Sequence, residues 1–268
     1  MIDVAFTPAD LRACDVAVVI DALRATSTAT QALAMGYERV LCADTIERAR
    51  ALHAPDRLLA GERRCLRPTG FDSGNSPRSI RRLGASELVL ATTNGTPAII
   101  AAAHRAPTVM LGCVLNLRAL IAAAGRRPHD SVQLVCAGTG GRIALEDVYV
   151  AGRLCAALRR AGTDSARIAE AVARSYRTPF HALSASAHAQ VLRDAGLAAD
   201  IAYCSLESVL DVIPLVRAAG DGVAIVAQSE RTGAADQADD AVDGRATVGR
   251  MDEADVGQSP VAAAGGVM

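Results

Sequence analysis

Lysine is missing altogether: all 28 basic residues of the 268 are Arg. That excludes a Schiff-base lysine, a phosphate-loop lysine and a lysine general base, although coding bias toward Arg and Ala accounts for the composition equally well. Aromatic residues make up only 3%, so the 51% of hydrophobic residues available for a core is mostly aliphatic. Charge of one sign is not in excess either. With 28 Arg against 29 acidic groups the formal charge is −1, which provides no broad field to draw nucleic acid or an anionic membrane. No basic stretch leads into a long apolar run near the start, and the first strong apolar segment already contains Asp21 and Arg24. Neither a signal peptide nor a membrane span is expected, and the chain reads as cytoplasmic. The seven cysteines (14, 42, 65, 113, 136, 155, 204) are odd in number and lie mostly in apolar runs, as reduced, buried thiols do. The five histidines (53, 104, 129, 181, 188) lack zinc-ligand spacing and read as surface or core residues. After the first strong strand stands Asp21-Ala22-Leu23-Arg24-Ala25-Thr26, which is neither a glycine-rich dinucleotide fingerprint nor an Asp-x-Asp phosphatase signature.

The length suits one domain or two small ones. Short Val/Ile/Leu runs alternate with Ala-rich segments of helical length, the pattern of parallel strands joined by crossover helices. Strands are expected over 15–21, 39–43, 57–61, 87–92, 108–113 and 131–137, with late strands over 200–204 and 223–228. Helices are expected over 26–35, 46–53, 96–104, 117–124, 143–160, 165–175 and 181–194. The predicted fold class is α/β, a largely parallel sheet with helices on both faces and a more helical C-terminal half. One domain is expected over 1–228, with sub-halves 1–138 and 139–228, followed by a disordered acidic, Ala/Gly-rich tail over 229–268. Setting aside the tail's three Arg and eight acidic groups leaves 25 Arg against 21 acidic groups, a mildly cationic body suited to small anions.

In parallel sheets, ligands bind at the carboxyl ends of the strands, where loops and helix N-termini converge. Four polar clusters fall at such ends. In the first, Asp21 suits a hard metal ion, while Arg24, Ser27 and Thr28 at a helix start suit an anion; an N-cap with a surface ion pair is the alternative. The second holds Glu62 and Arg63, then a Gly- and Pro-bounded loop displaying Asp72, Asn75 and Ser76 as oxygen ligands or as a structural Asx-turn. The third, Thr92-Thr93-Asn94-Gly95-Thr96, offers hydroxyls and freed amides at a helix start, a cradle for phosphate or sulfonate. In the fourth, Gly138-Thr139-Gly140-Gly141-Arg142 leads to Glu146 and Asp147, with Asp147 a further ligand or base; both acids also simply favour a helix N-terminus. Cys136 with Arg142 matches the C-x5-R spacing of cysteine-dependent phosphatases, but chance alone supplies about 0.7 such pairs in this composition.

The segments DALRATST (21–28), AGER (60–63), GFDSGNSP (70–77), TTNGT (92–96) and CAGTGGRIALED (136–147), in this order, resemble the 2-phosphosulfolactate phosphatase (ComB-like) family over roughly residues 2–228. The resemblance implies a Mg2+-dependent phosphoric monoester hydrolase that converts 2-phosphosulfolactate to sulfolactate and phosphate, a coenzyme M biosynthesis-type step. It implies an α/β fold unlike the common phosphatases and a small anionic phosphorylated hydroxy acid as partner, with no nucleic acid and no membrane; a homodimer is compatible with it. Mg2+ prefers oxygen ligands, so Asp21, Glu62, Asp72 and Asp147 are the expected ligands, with Asp21, Asp72 and Asp147 catalytic. Arg24, Ser27, Thr28, Arg63, Asn75, Ser76, Thr93, Asn94, Gly95, Thr139 and Arg142 are expected to bind substrate. The expected mechanism is metal-assisted in-line hydrolysis with a carboxylate orienting water. Asp21 as covalent nucleophile, a metal-free Cys136/Arg142 phosphatase and a non-catalytic anion binder are the alternatives.

Overall fold

The computed structural model describes residues 1–82, 84–126 and 130–229. The tail beyond Ser229 and His129 lie outside the described residues. Among those described, nine strands form one sheet: β1 (Ile2–Ala5), β2 (Val16–Ile20), β3 (Arg39–Ala43), β4 (Arg57–Gly61), β5 (Glu87–Ala91), β6 (Thr108–Gly112), β7 (Val132–Cys136), β8 (Pro214–Gly220) and β9 (Val223–Gln228). Their order is β1-β7-β2-β6-β8-β9-β3-β5-β4. The block β1-β7-β2-β6 is parallel, as is β3-β5-β4. Between them the hairpin β8-β9 pairs antiparallel with β6 through Met110 and Leu215, and with β3 over residues 40–43. The sheet is therefore mostly parallel.

Burial on both faces explains why β2, and β5 after Glu87, read as unbroken apolar runs. Successive residues serve different layers: Val16, Val18 and Ile20 face one core, Ala17 and Val19 another. Nine α-helices among the described residues cover the sheet: α1 (Ala25–Ala34), α2 (Ile46–Ala51), α3 (Gly95–Ala103), α4 (Leu117–Gly125), α5 (Leu145–Leu158), α6 (Asp164–Arg174), α7 (Pro179–Ser184), α8 (Ala187–Asp194) and α9 (Ala198–Cys204). One face belongs to α1 and α3, whose Leu33, Ala98 and Ile99 share a core with Val19, Val40, Leu90 and Leu111 from both parallel blocks. On the opposite face, α4 to α9 cover the β1-β7-β2-β6 block, and α2 covers β3-β5-β4. Helix starts carry the chemistry their sequences suggest: Thr45, Thr163, Thr178 and Ser186 each accept a hydrogen bond from the amide three residues on.

Three expectations are corrected. Residues 200–204 belong to α9, not to a strand; Ile201 and Cys204, three apart, both enter the core, and so short an apolar run looks the same in either state. The helix expected over 181–194 is two, divided where the Ser186 hydroxyl caps α8 by accepting from the Ala189 amide. Strands β1 and β8 are absent from the expected set; β8 opens on Pro214, which reads as a strand breaker, and four of its seven residues are exposed.

Pairing alone directs the two parallel blocks in opposite senses. Helices α1 and α3 nevertheless pack against both, and the residues that follow β2, β4, β5 and β7 touch one another, so these carboxyl ends come together. A Cβ on Gly95, which opens α3, would collide with Asp21 Oδ2 and the Ala25 Cβ, so only glycine allows this approach.

Candidate active site

Asp21 follows β2 directly and is 8% exposed. Its Oδ1 accepts from the Ala25 amide at 3.2 Å, which makes it a cap for α1, while its Oδ2 accepts no hydrogen bond among the described residues. Burial drives its carboxyl up to about 7, against the Ala25 hydrogen bond, and the negative charges of Glu62 and Glu146 add to the rise. Asp147, in the first turn of α5, joins two strand ends: Oδ1 accepts from the Ala22 amide at 2.9 Å and Oδ2 from the Gly138 amide at 3.1 Å. Burial, with Glu146 and Asp21 nearby, holds its carboxyl well above the usual carboxylate range. Glu146 is buried beside it, and that burial raises its carboxyl too.

The β4 and β5 ends are joined by Glu62. Its Oε1 accepts from the Thr93 amide at 2.7 Å and its Oε2 from the Cys65 amide at 2.9 Å. Asn94 completes the circle toward β7, its Oδ1 accepting from the Gly140 amide at 3.1 Å. Asp21, Glu62, Asp147, Asn94 and Gly95 are therefore brought together as strand-end reasoning expects.

Arg24 is 3% exposed and lies inside, not on the surface. A cis peptide joins it to Leu23. Its Nη1 donates to Asp200 Oδ2 at 2.6 Å, and its Nε has no acceptor. Ser76 donates to the other oxygen of Asp200 at 2.7 Å. Two neighbouring hydroxyls are taken up by backbone: Ser27 Oγ donates to the Ala22 carbonyl and Thr28 Oγ1 to that of Asn75. They hold α1 and the 70–77 loop in place. Asn75 is buried, and its Oδ1 has no donor.

Other expected site residues have different surroundings. Asp72 is exposed, and its Oδ2 accepts from the Leu59 amide at 2.7 Å on the outer edge of β4, two residues before the strand ends. It does not join the other carboxylates. Arg63 donates to the carbonyl of Glu62 beside it. Thr139 and Arg142 are exposed on a tight turn closed by their own backbone hydrogen bonds. Cys136 lies in the core, where burial and then the Asp147 charge keep its thiol protonated well beyond the ordinary range. A buried neutral thiol with its arginine on the surface is not a poised nucleophile.

Four residues at the site were missed. Glu146 reads from sequence as a helix-dipole residue, and only its burial distinguishes it. Asp200 was placed in a strand. Cys65 is buried and feels the charges of Arg24, Glu62 and Asp21, which locates it in the same group. His188, on α8, has its imidazole shifted down by burial and next by Arg24, against the pull of Glu62. Its adjacency to the site has no sequence signal.

Among the described residues, no three Asp, Glu, His or Cys side chains form a cage for a metal ion. Mg2+ rarely needs one, since it keeps several waters and is commonly held by one or two carboxylates together with substrate phosphate. The donor set fits that sparse mode. Asp21 offers an unpartnered oxygen in a buried site with surplus negative charge, whereas both oxygens of Glu62 and of Asp147 already accept backbone hydrogen bonds.

Buried carboxylates and a buried arginine gathered at strand ends of an α/β sheet make a site suited to an anionic ligand. Residues 4–219 match the family model described as 2-phosphosulpholactate phosphatase, and the chain belongs to that family of phosphoric monoester hydrolases. Among its relatives are proteins named probable 2-phosphosulfolactate phosphatase from Thermus thermophilus (39% identical, covering 76% of this chain and 88% of the relative), Pseudothermotoga lettingae (39%, covering 80% and 95%) and Deinococcus radiodurans (40%, covering 75% and 87%).

Proposed function

We propose that the chain hydrolyses 2-phosphosulfolactate, or a closely similar phosphorylated hydroxy acid, to the free hydroxy acid and phosphate in a Mg2+-dependent reaction of the kind used in coenzyme M biosynthesis. The observation that carries this reading is the meeting of Asp21, with a free carboxylate oxygen, and Arg24, with a free buried Nε, at one strand end. Asp21 Oδ2 would hold the ion, with waters and the substrate phosphate completing its shell. When bound, Mg2+ supplies positive charge to the phosphoryl oxygens. Arg24 grips an oxyanion of the substrate through the guanidinium edge that Asp200 leaves unpartnered. The start of α3 at Gly95 adds the positive end of a helix dipole. Asp147 and Glu62 each anchor two backbone amides and so fix the strand ends against which the substrate rests. A carboxylate of this group orients the attacking water and takes its proton as the P–O bond to the hydroxy acid breaks, and the departing alkoxide takes up a proton from solvent.

The test is phosphate release from 2-phosphosulfolactate by wild type and Asp21→Asn, in chelator and with added Mg2+. Activity is expected only for wild type with Mg2+. Full activity in chelator, or from Asp21→Asn, refutes the reading. No helix among the described residues is long and apolar enough to cross a membrane.

A further inference from the structure

Asp200 sits on α9, 176 residues from Arg24 in sequence, and is 1% exposed. It contacts only the Nη1 of Arg24, at 2.6 Å. In a guanidinium, Nη1 lies on the side of Cδ. The opposite edge, formed by Nε and Nη2, presents two parallel N–H groups to an oxyanion, whereas in the end-on pair of Nη1 and Nη2 one member is already taken by Asp200. No described residue accepts from that edge, and Nε is fully buried without a partner. Buried donors are almost always satisfied, and the exceptions call for a ligand or a functional reason. The other oxygen of Asp200 accepts from Ser76 Oγ at 2.7 Å, and the adjacent Asn75 carbonyl accepts from Thr28 Oγ1 on α1. One carboxylate thus ties together α9, the 70–77 loop and the arginine.

We propose that Asp200, steadied by Ser76, is a positioning residue that fixes the Arg24 guanidinium by one nitrogen so that its two-pronged edge stays turned to the substrate's oxyanion. The inference rests on Arg24 being that anion's ligand. Asp200 itself does not touch substrate. Its contact through Nη1 alone leaves Nη2 to recognition, whereas a bidentate Arg–carboxylate pair by either edge would take Nη2 up. The charge of Asp200 also offsets that of Arg24, so the guanidinium remains buried when no anion is bound.

The experiment is a double-mutant cycle on the full chain with Mg2+, measuring kcat and KM for 2-phosphosulfolactate in wild type, Arg24→Ala, Asp200→Asn, the double variant and Ser76→Ala, with Tm recorded for each. Asp200→Asn is expected to raise KM by about tenfold while kcat stays within about threefold. In the Arg24→Ala background the same change should have almost no effect, because there is no guanidinium left to orient. Ser76→Ala should raise KM by about two- to threefold at nearly unchanged Tm. If Asp200→Asn fails to fold, the Ser76→Ala result decides, and an unchanged KM there overturns the proposal. Equal effects of Asp200→Asn with and without Arg24, or a lowered Tm at unchanged KM, overturn it as well. Arg24→Ala with normal KM removes the anion-binding reading and this inference together, whereas impaired Arg24→Ala beside a normal Asp200→Asn overturns this inference alone.

Discussion

Replacing Asp21 by Asn should make the metal-free protein more stable and the enzyme inactive. Burial among other carboxylates moves the Asp21 carboxyl from the ordinary 3.8 to about 7. The folded protein therefore holds this proton more tightly than the unfolded chain does. The associated stability is fully present below about pH 4 and is lost as the pH rises to about 7, after which it stays lost. About three units correspond to about 4 kcal/mol. Asn keeps the shape and can still accept from the Ala25 amide, but it never ionises. In chelator, urea denaturation should place Asp21→Asn above wild type by a margin about 2–3 kcal/mol larger at pH 8 than at pH 5. Added Mg2+ should close the gap at pH 8 by stabilising wild type alone, because the cation offsets the buried charge. A variant less stable than wild type at pH 8, or a gap that does not change with pH, refutes the reasoning. So would a Mg2+ effect on the variant equal to that on wild type.

Gly95→Ala should destabilise by about 1–3 kcal/mol and lower kcat, since the added Cβ collides with Asp21 Oδ2 and Ala25; unchanged denaturation and turnover would mean that α3 does not abut Asp21. Cys136→Ala should keep kcat/KM within about twofold of wild type, because a buried, protonated thiol takes no part in the chemistry; loss of turnover at unchanged Tm would restore the cysteine mechanism. Asp72→Ala should cost about 1 kcal/mol through the lost acceptor for the Leu59 amide, with steady-state kinetics unaltered; a fall in kcat of orders of magnitude would return Asp72 to the site.

What the sequence made legible is whatever depends on local pattern. Unbroken apolar runs such as Val16–Ile20 and residues 88–91 announce parallel strands, and polar clusters just after such runs point to Asp21, Glu62, Asn94 and Asp147. The resemblance to the family rested on the same five segments. Two kinds of information were out of reach. One is side-chain destination: Ser27 and Thr28 look like phosphate ligands in a row of hydroxyls, yet each spends its proton on a backbone carbonyl. Asp72 shares a loop with Asn75 and Ser76, yet it turns back to the β4 edge while Ser76 donates to Asp200 and the Asn75 carbonyl accepts from Thr28 on α1. The other is long-range pairing. Asp200 and His188 reach the site only because α8 and α9 pack on the face of the β1-β7-β2-β6 block, and no spacing rule connects positions so far apart.

The hairpin β8-β9 stands fifth and sixth in a sheet of nine strands, although it is the last pair in sequence among the described residues. During synthesis, the two parallel blocks are complete while the segment that joins them is still being made. Until then, β6 and β3 each present an unpaired edge, the kind of surface that invites pairing with another nascent chain. Closing the sheet also requires contacts across nearly 190 residues, as between Val40 and Val226, which makes it a late and slow event in folding. The carboxyl ends that carry Asp21 and Glu62 belong to different blocks. Acquisition of activity by the newborn polypeptide should therefore coincide with insertion of residues 214–228, not with formation of either block.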